Sequence, residues 1–264
     1  MKNLRINSQT AVVALALLAT SSLALGQNLV LNGDFESTTG GSSGHVGVNS
    51  FSLDNWTAVR LGGSVNSGNT SFVLVGTMPN VSQNGAGISS AYGAPPSTGS
   101  NNLRLWGNNL PGSPTGGNVA LVEADWGWVK TELQQTITGL VQNTQYTLTF
   151  DWAAGQQYDY NGNTQTRWNV RLDNEMYSTS YANVLEHEFV GWDSGTFTFT
   201  YTGTSGSAVL GFLAEGIGGS LPPFALLDNV QLTPVPEPSQ YAAALGGLAL
   251  VAGVARRLRA AQAK

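Results

Sequence analysis

The chain contains no cysteine. No disulfide can staple its loops, and no thiolate can act as nucleophile or metal ligand. It has two histidines, His45 and His187, far apart in sequence, so the His/Cys cluster that zinc requires is missing. Basic residues are scarce through the middle. Residues 28–233 hold five Lys/Arg (Arg60, Arg104, Lys130, Arg167, Arg171) against fifteen Asp/Glu, a net of −10. Such a segment is a poor partner for nucleic acid, because phosphate contacts need Lys and Arg. Adhesion by charge to anionic lipid is excluded on the same ground, and a neutral ligand or a cation suits it better. There is no Gly-x-Ser-x-Gly elbow and no Gly-rich phosphate loop between a strand and a helix. Glu123 and Asp125 point two acids to one side of a strand, as a glycan hydrolase requires. No further acid supports the pair on that side of the strand, where Gly127 stands next. The expectation is a protein that is not an enzyme.

What is present begins at the two ends. Lys2 and Arg5 precede the apolar run Ala11–Leu18, and Ala24-Leu25-Gly26 supplies small residues before Gln27. This is the order of a secretory signal peptide over residues 1–26. At the other end, Pro236-Glu237-Pro238 precedes an apolar run from Tyr241 to Val254, closed by Arg256, Arg257, Arg259 and Lys264. The run falls short of the ~20 residues of a spanning helix. Its basic flank marks a cytoplasmic side, with everything upstream exported. These three parts in order resemble the PEP-CTERM sorting signal of Gram-negative bacteria. The resemblance implies a transient contact with the inner membrane, cleavage near Pro236-Glu237-Pro238 by an exosortase-type sorting protease, and delivery to the cell surface, outer envelope or extracellular matrix. A retained transmembrane tail anchor is the alternative. Residues 234–264 are therefore an address, and residues 27–233 are the cargo.

The cargo reads as one domain of strands, with no internal repeat and no Pro-rich linker. Tyr146, Leu148, Phe150 and Trp152 share one face of an alternating run, as do Trp168, Val170 and Leu172, and again Phe197, Phe199 and Tyr201. Residues 208–213 and 225–232 are further strands. Val119–Glu123 and Glu132–Ile137 are expected to pair, and Asn161-Gly162 to turn a hairpin. No long stretch has helical periodicity. The expected architecture is all-β: an antiparallel two-sheet β-sandwich of the jelly-roll kind. Residues 37–100 are small and polar over long stretches, so they read either as decorated loops or as weak strands.

The order of landmarks carries a second resemblance. Asn28–Glu36 (NLVLNGDFE) opens the cargo, Asp54-Asn55-Trp56 follows, Leu133–Ala153 holds the centre, and Ala225–Leu232 (ALLDNVQL) closes it. The series resembles the galactose-binding-like jelly roll of many carbohydrate-binding modules, in which the first and last strands are neighbours. That resemblance implies a structural calcium shared by the two termini, with Glu36 and Asp228 as carboxylate ligands and backbone carbonyls completing the shell. Asp34 reads as a solvated acid, and Asp159–Asn163 as a turn rather than a calcium loop.

Sugar binding needs aromatic faces for pyranose C–H groups, with amides and acids for hydroxyls. Trp106, Trp126, Trp128 and Tyr158, with Tyr160 nearby, are the candidates off the core alternation. Trp56, Trp152, Trp168 and Trp192 read as core. Two functional classes follow. One is a module that binds extracellular polysaccharide; the other is a structural matrix protein without a dedicated glycan site. A glycan hydrolase acting through Glu123 is the weaker third.

Overall fold

The computed structural model describes residues 26–61, 71–89, 102–124, 129–217, 221–236 and 256. In chain order the strands are β1 (Thr38–Thr39), β2 (Gly44–His45), β3 (Ser52–Leu53), β4 (Thr57–Leu61), β5 (Val73–Thr77), β6 (Ile88–Ser89), β7 (Asn102–Leu103) and β8 (Asn118–Glu123). Then follow β9 (Lys130–Thr138), β10 (Thr144–Gln156), β11 (Thr164–Leu172), β12 (Glu175–Ser178), β13 (Ala182–Val184), β14 (Phe189–Tyr201), β15 (Ser207–Ile217) and β16 (Pro223–Pro234). A short helix, α1 (Met78–Val81), carries Pro79 in its first turn, where a missing N–H costs nothing.

Alternation builds the sandwich. In β10, Tyr146, Leu148 and Phe150 are buried while Gln145 and Thr149 face solvent. β11 repeats the pattern with Trp168, Val170 and Leu172 inside. The strands form one sheet in the order β14-β10-β16-β8-β5-β2 and another in the order β12-β11-β15-β9-β4, with β13 also on β11. Every pair with an assigned register is antiparallel. The protein is an antiparallel jelly-roll β-sandwich. Between the sheets, Phe212 is the aromatic hub: its ring lies 5.3 Å from Phe150, 5.8 Å from Trp168 and 6.2 Å from Trp56.

A second core lies on the other face of the six-stranded sheet. Val119, Leu121, Phe224 and Leu226 point there and are covered by Met78, Val81, Ile88, Leu103, Leu105 and Leu110. β8 and the first half of β16 are thus buried on both faces, which is why their apolar residues run without alternation. Part of the 37–100 region, expected as decoration or weak strands, is this cover.

Two expected pairings are not made. β8 and β9 do not pair: β8 lies between β16 and β5, and β9 between β15 and β4, in different sheets. Asn161-Gly162 does not turn a hairpin either, because β10 and β11 also belong to different sheets and residues 157–163 cross between them. The turn chemistry is real, with Gly162 at φ +109° and Asp159 at +79°, but local φ does not choose the partner strand. The opening NLVLNGDFE lies beside β16, as Leu29 donates to Leu232 O and Val230 donates to Gly33 O. It is not a regular strand, since Asn32 and Phe35 take positive φ.

Contacts divide the chain into a unit of Asn28–Leu232 and a second of Met1–Gln27 with Thr233–Lys264. Almost all of the second unit, including the signal-peptide run, Glu237, Pro238 and the apolar run, lies outside the described residues; Pro236 is inside them. Among the described residues no helix is long and apolar enough to cross a membrane.

Candidate functional site

The outer face of the five-stranded sheet carries the side chains that alternate away from Leu133, Phe212 and Trp168. Register places Thr57, Gln134, Gly211 and Arg171 in one row across β4, β9, β15 and β11. Three strand spacings make that row about 14 Å long. Gly211 is its floor. A Cβ there would collide with the Glu132 carboxylate, which lies flat over the backbone.

Fixed polar groups border the row. Arg171 grips Glu132 with two parallel bonds, Nε to Oε1 and Nη2 to Oε2, each 2.7 Å. Gln134 Nε2 donates to the same Oε2. Glu132 is only 3% exposed at its side chain, so this fork supplies the opposite charge that a buried carboxylate needs. Its hydrogen bond raises the Arg171 pKa above the ordinary range. One row further, Ser178 Oγ donates to Asn169 Oδ1 (2.6 Å), while Asn169 Nδ2 (3.0 Å) and Arg167 Nε (2.7 Å) both donate to Glu215 Oε2. The Asn169 hydrogen bond, aided by Arg167, holds the Glu215 carboxyl below its usual pKa despite partial burial. Tyr181 closes that end, with the Arg167 guanidinium 4.5 Å from its ring centre. At the opposite end a cavity of about 430 Å³ opens between Leu31, Asn55, Thr57, Val59, Gln134 and Thr136. The face therefore presents donors and acceptors already held in place, with apolar Val59 and Leu213 between them. Three of the domain's five basic residues, Lys130, Arg167 and Arg171, lie on it. The two arginines are paired to Glu215 and Glu132, so the face is not a free cationic surface.

Two of the four aromatic candidates meet at one end of the sandwich. Leu105 bridges to Gln157, and Tyr158 N–H donates to Arg104 O (2.8 Å), which brings Trp106 and Tyr158 together at a ring distance of 4.5 Å. His187, from the turn before β14, lies over Trp106 with ring centres 3.8 Å apart. The indole N–H is held by Tyr160 O at 2.7 Å, and Arg104 sits 5.3 Å from the Tyr158 ring centre. Tyr158 and His187 both pack against the indole, so this group ties three loops together. Trp126 and Trp128 lie outside the described residues. Trp56, Trp152 and Trp168 are core, whereas Trp192 is half-buried, packs on the second core and donates to Pro111 O.

The two proposed metal ligands share a loop. Asp228 is fully buried on β16. Its Oδ2 accepts from the hydroxyls of Ser113 and Thr115, and its Oδ1 has no hydrogen-bond partner among the described residues. Burial pushes its pKa up to about 6, against the pull of the two hydroxyls. Glu36 Oε1 accepts from Asn118 N–H at 2.5 Å, and Asn118 Nδ2 donates to Phe35 O. These hard oxygen donors, one of them orphaned, fit calcium rather than a soft metal. No group of three or more His, Cys, Asp or Glu gathers among the described residues, so the shell would rest on two carboxylates and neutral oxygens. Glu123, the hydrolase candidate, is 1% exposed on the covered side of β8.

Sequence reasoning missed Gln134, Arg171, Asn169 and Glu215. Their signal was there: the alternation that buried Trp168 and Val170 also marked Asn169 and Arg171 as outward.

No protein-family model matches the chain, and no curated protein does either. Solved structures do match. The module TmCBM61, solved with beta-1,4-galactotriose, shares 14% identity at a TM-score of 0.38, over 79% of this chain and 99% of its own. The family 11 carbohydrate-binding module of Clostridium thermocellum, in complex with a mixed-linked tetrasaccharide, shares 12% at 0.36, over 81% and 99%. The K3 adhesin domain of Lys-gingipain from Porphyromonas gingivalis shares 13% at 0.39, over 77% and 98%. The enzymatically active domain of bacteriophage CBA120 tailspike protein 4 shares 16% at 0.37, but only 21% of that chain is spanned.

Proposed function

We propose that residues 27–233 are a non-catalytic polysaccharide-binding domain of an exported protein, and that the outer face of the five-stranded sheet is its binding surface. The observation that carries this is the Thr57–Gln134–Gly211–Arg171 row, bordered by hydrogen-bonded groups and continuous with the 430 Å³ cavity. A sugar chain lying across the strands meets amides and hydroxyls for its own hydroxyls, and aliphatic Val59 and Leu213 for its C–H faces. Because the ion pairs are already closed, the surface suits a neutral chain. Trp106, Tyr158, Trp126 and Trp128 stay in the proposal as further candidate contacts for sugar rings. A glycan array with residues 27–233 tests the reading. Binding to a neutral polysaccharide is expected, weakened about tenfold in Gln134→Ala, since one lost hydrogen bond is worth about 1.4 kcal/mol. No binding to any neutral glycan, the producing cell's own polymer included, refutes it.

In the same proposal Asp228 and Glu36 hold calcium together with backbone oxygens near Phe35. The ion would offset the charge of a buried carboxylate and fasten the opening segment to the last strand without a disulfide. Residues 1–26 direct export. Residues 234–264 engage the inner membrane and an exosortase-type protease, leaving the cargo at the surface or in the matrix of a Gram-negative cell. Mass analysis of the mature protein tests this, since unprocessed ends would refute it.

The structural-matrix reading has one observation in its favour: the Trp106 group is packed by Tyr158 and His187. It predicts no glycan binding at all.

A further inference from the structure

The chain has three Asn-Gly pairs, at Asn32, Asn84 and Asn161, and the fold treats them differently. Asn32 is tied three times: its Nδ2 donates to Ser37 O and Asp54 O, and its Oδ1 accepts from Ser37 N–H. Gly33 beside it is buried against Val230 O. Asn84 exchanges hydrogen bonds with Asn109, and the Gly85 N–H is held by Ser82 O at 2.8 Å. Asn161 differs from both. It is exposed, it precedes half-exposed Gly162 at φ +109°, and its side-chain oxygen lies 2.7 Å from His187 Nε2. An amide oxygen only accepts, so the imidazole N–H donates to it.

We propose that Asn161 is a self-modifying site, at which His187 assists deamidation. The Gly162 backbone nitrogen, giving its proton to water, attacks Asn161 Cγ and forms the new C–N bond. Negative charge collects on Oδ1, where the His187 N–H stabilises it as an oxyanion donor does. The Cγ–Nδ2 bond breaks and Nδ2 leaves as ammonia, with a proton from solvent. Water then opens the cyclic imide at either carbonyl, giving aspartate or isoaspartate. The sum is amide plus water to acid plus ammonia. Gly162 permits the approach because it has no side chain and already holds a conformation that others resist. Asn32 and Asn84 lack that freedom. The product places a carboxylate against His187. The isoaspartate form also lengthens the backbone next to Tyr160, whose carbonyl holds the Trp106 indole N–H. The modification therefore acts on the loop junction at this end of the sandwich.

The full chain is incubated at mildly alkaline pH, and each Asn-Gly peptide is followed by mass and by separation of its isoaspartyl form. Conversion at Asn161 should outpace Asn32 and Asn84 at least tenfold. In His187→Phe, which keeps a ring for Trp106 but donates nothing, it should fall about tenfold, the worth of one hydrogen bond in the transition state. Equal rates at the three sites, or no conversion at Asn161, would overturn the proposal even if that variant failed to fold. An unchanged rate in folded His187→Phe would overturn the part assigned to His187.

Discussion

His45 offers a sharp test of the packing around β2 and β5. The ring is 6% exposed, lies 5.3 Å from the Phe72 ring and faces the positive charge of Arg60. Burial, reinforced by Arg60, lowers its pKa from 6.5 to about 4. The folded value lies below the unfolded one. Stability from this group is therefore complete above pH 6.5 and is lost as pH falls toward 4. Between pH 7.5 and 4.5 the loss comes to about 2.5 kcal/mol, or about 5–10 °C in Tm for a domain of this size. Asp228, with its pKa raised, runs the other way, so the wild-type profile alone is flattened. His45→Gln isolates the effect, because glutamine never charges. Urea unfolding at both pH values, in chelator, should show wild type losing about 2.5 kcal/mol more than the variant. Equal losses would mean that His45 is not held neutral, and the packing described for β2 would be wrong.

Arg171→Ala should cost about 3 kcal/mol in denaturant unfolding, because Glu132 stays buried without an opposite charge, while Arg171→Met with Glu132→Gln should cost clearly less. Arg171→Lys should keep the charge but weaken glycan binding severalfold on an affinity column, since the parallel two-bond grip is lost. Calcium at a hundred times its Kd should raise stability by about 2.7 kcal/mol, and chelator should abolish that gain; Glu36→Ala/Asp228→Ala should show no response to either. Phe212→Ala should cost about 3–5 kcal/mol by calorimetry, as it removes the ring that joins Phe150, Trp168 and Trp56.

Much of the sandwich was legible because alternation is local. Tyr146, Leu148 and Phe150 announce their face by spacing alone, and so do Trp168 and Val170. Strand partners were not legible. A run such as Val119–Glu123 carries no mark of which sheet receives it, and residues 157–163 could equally join neighbours or cross a core. The second core had a signal that periodicity alone cannot resolve, since an unbroken apolar run shows two covered faces without naming the cover. For the site, aromatic residues drew attention by chemistry, and Trp106 and Tyr158 do meet. The polar row was harder to see because it exists only across strands: Thr57 and Arg171 are more than a hundred residues apart in sequence, yet lie in one line.

β16 has one more consequence. The last strand of the domain is not added at an edge; it lies between β10 and β8. Until it arrives, β10 and β8 have open flanks, and the first segment lacks the Leu232 carbonyl that accepts from Leu29. Such long-range closure slows folding, because the chain between β8 and β16 must loop back before their shared ladder can form. The six-stranded sheet is therefore closed by the strand that is made last, and its centre is the last part of the domain to be filled.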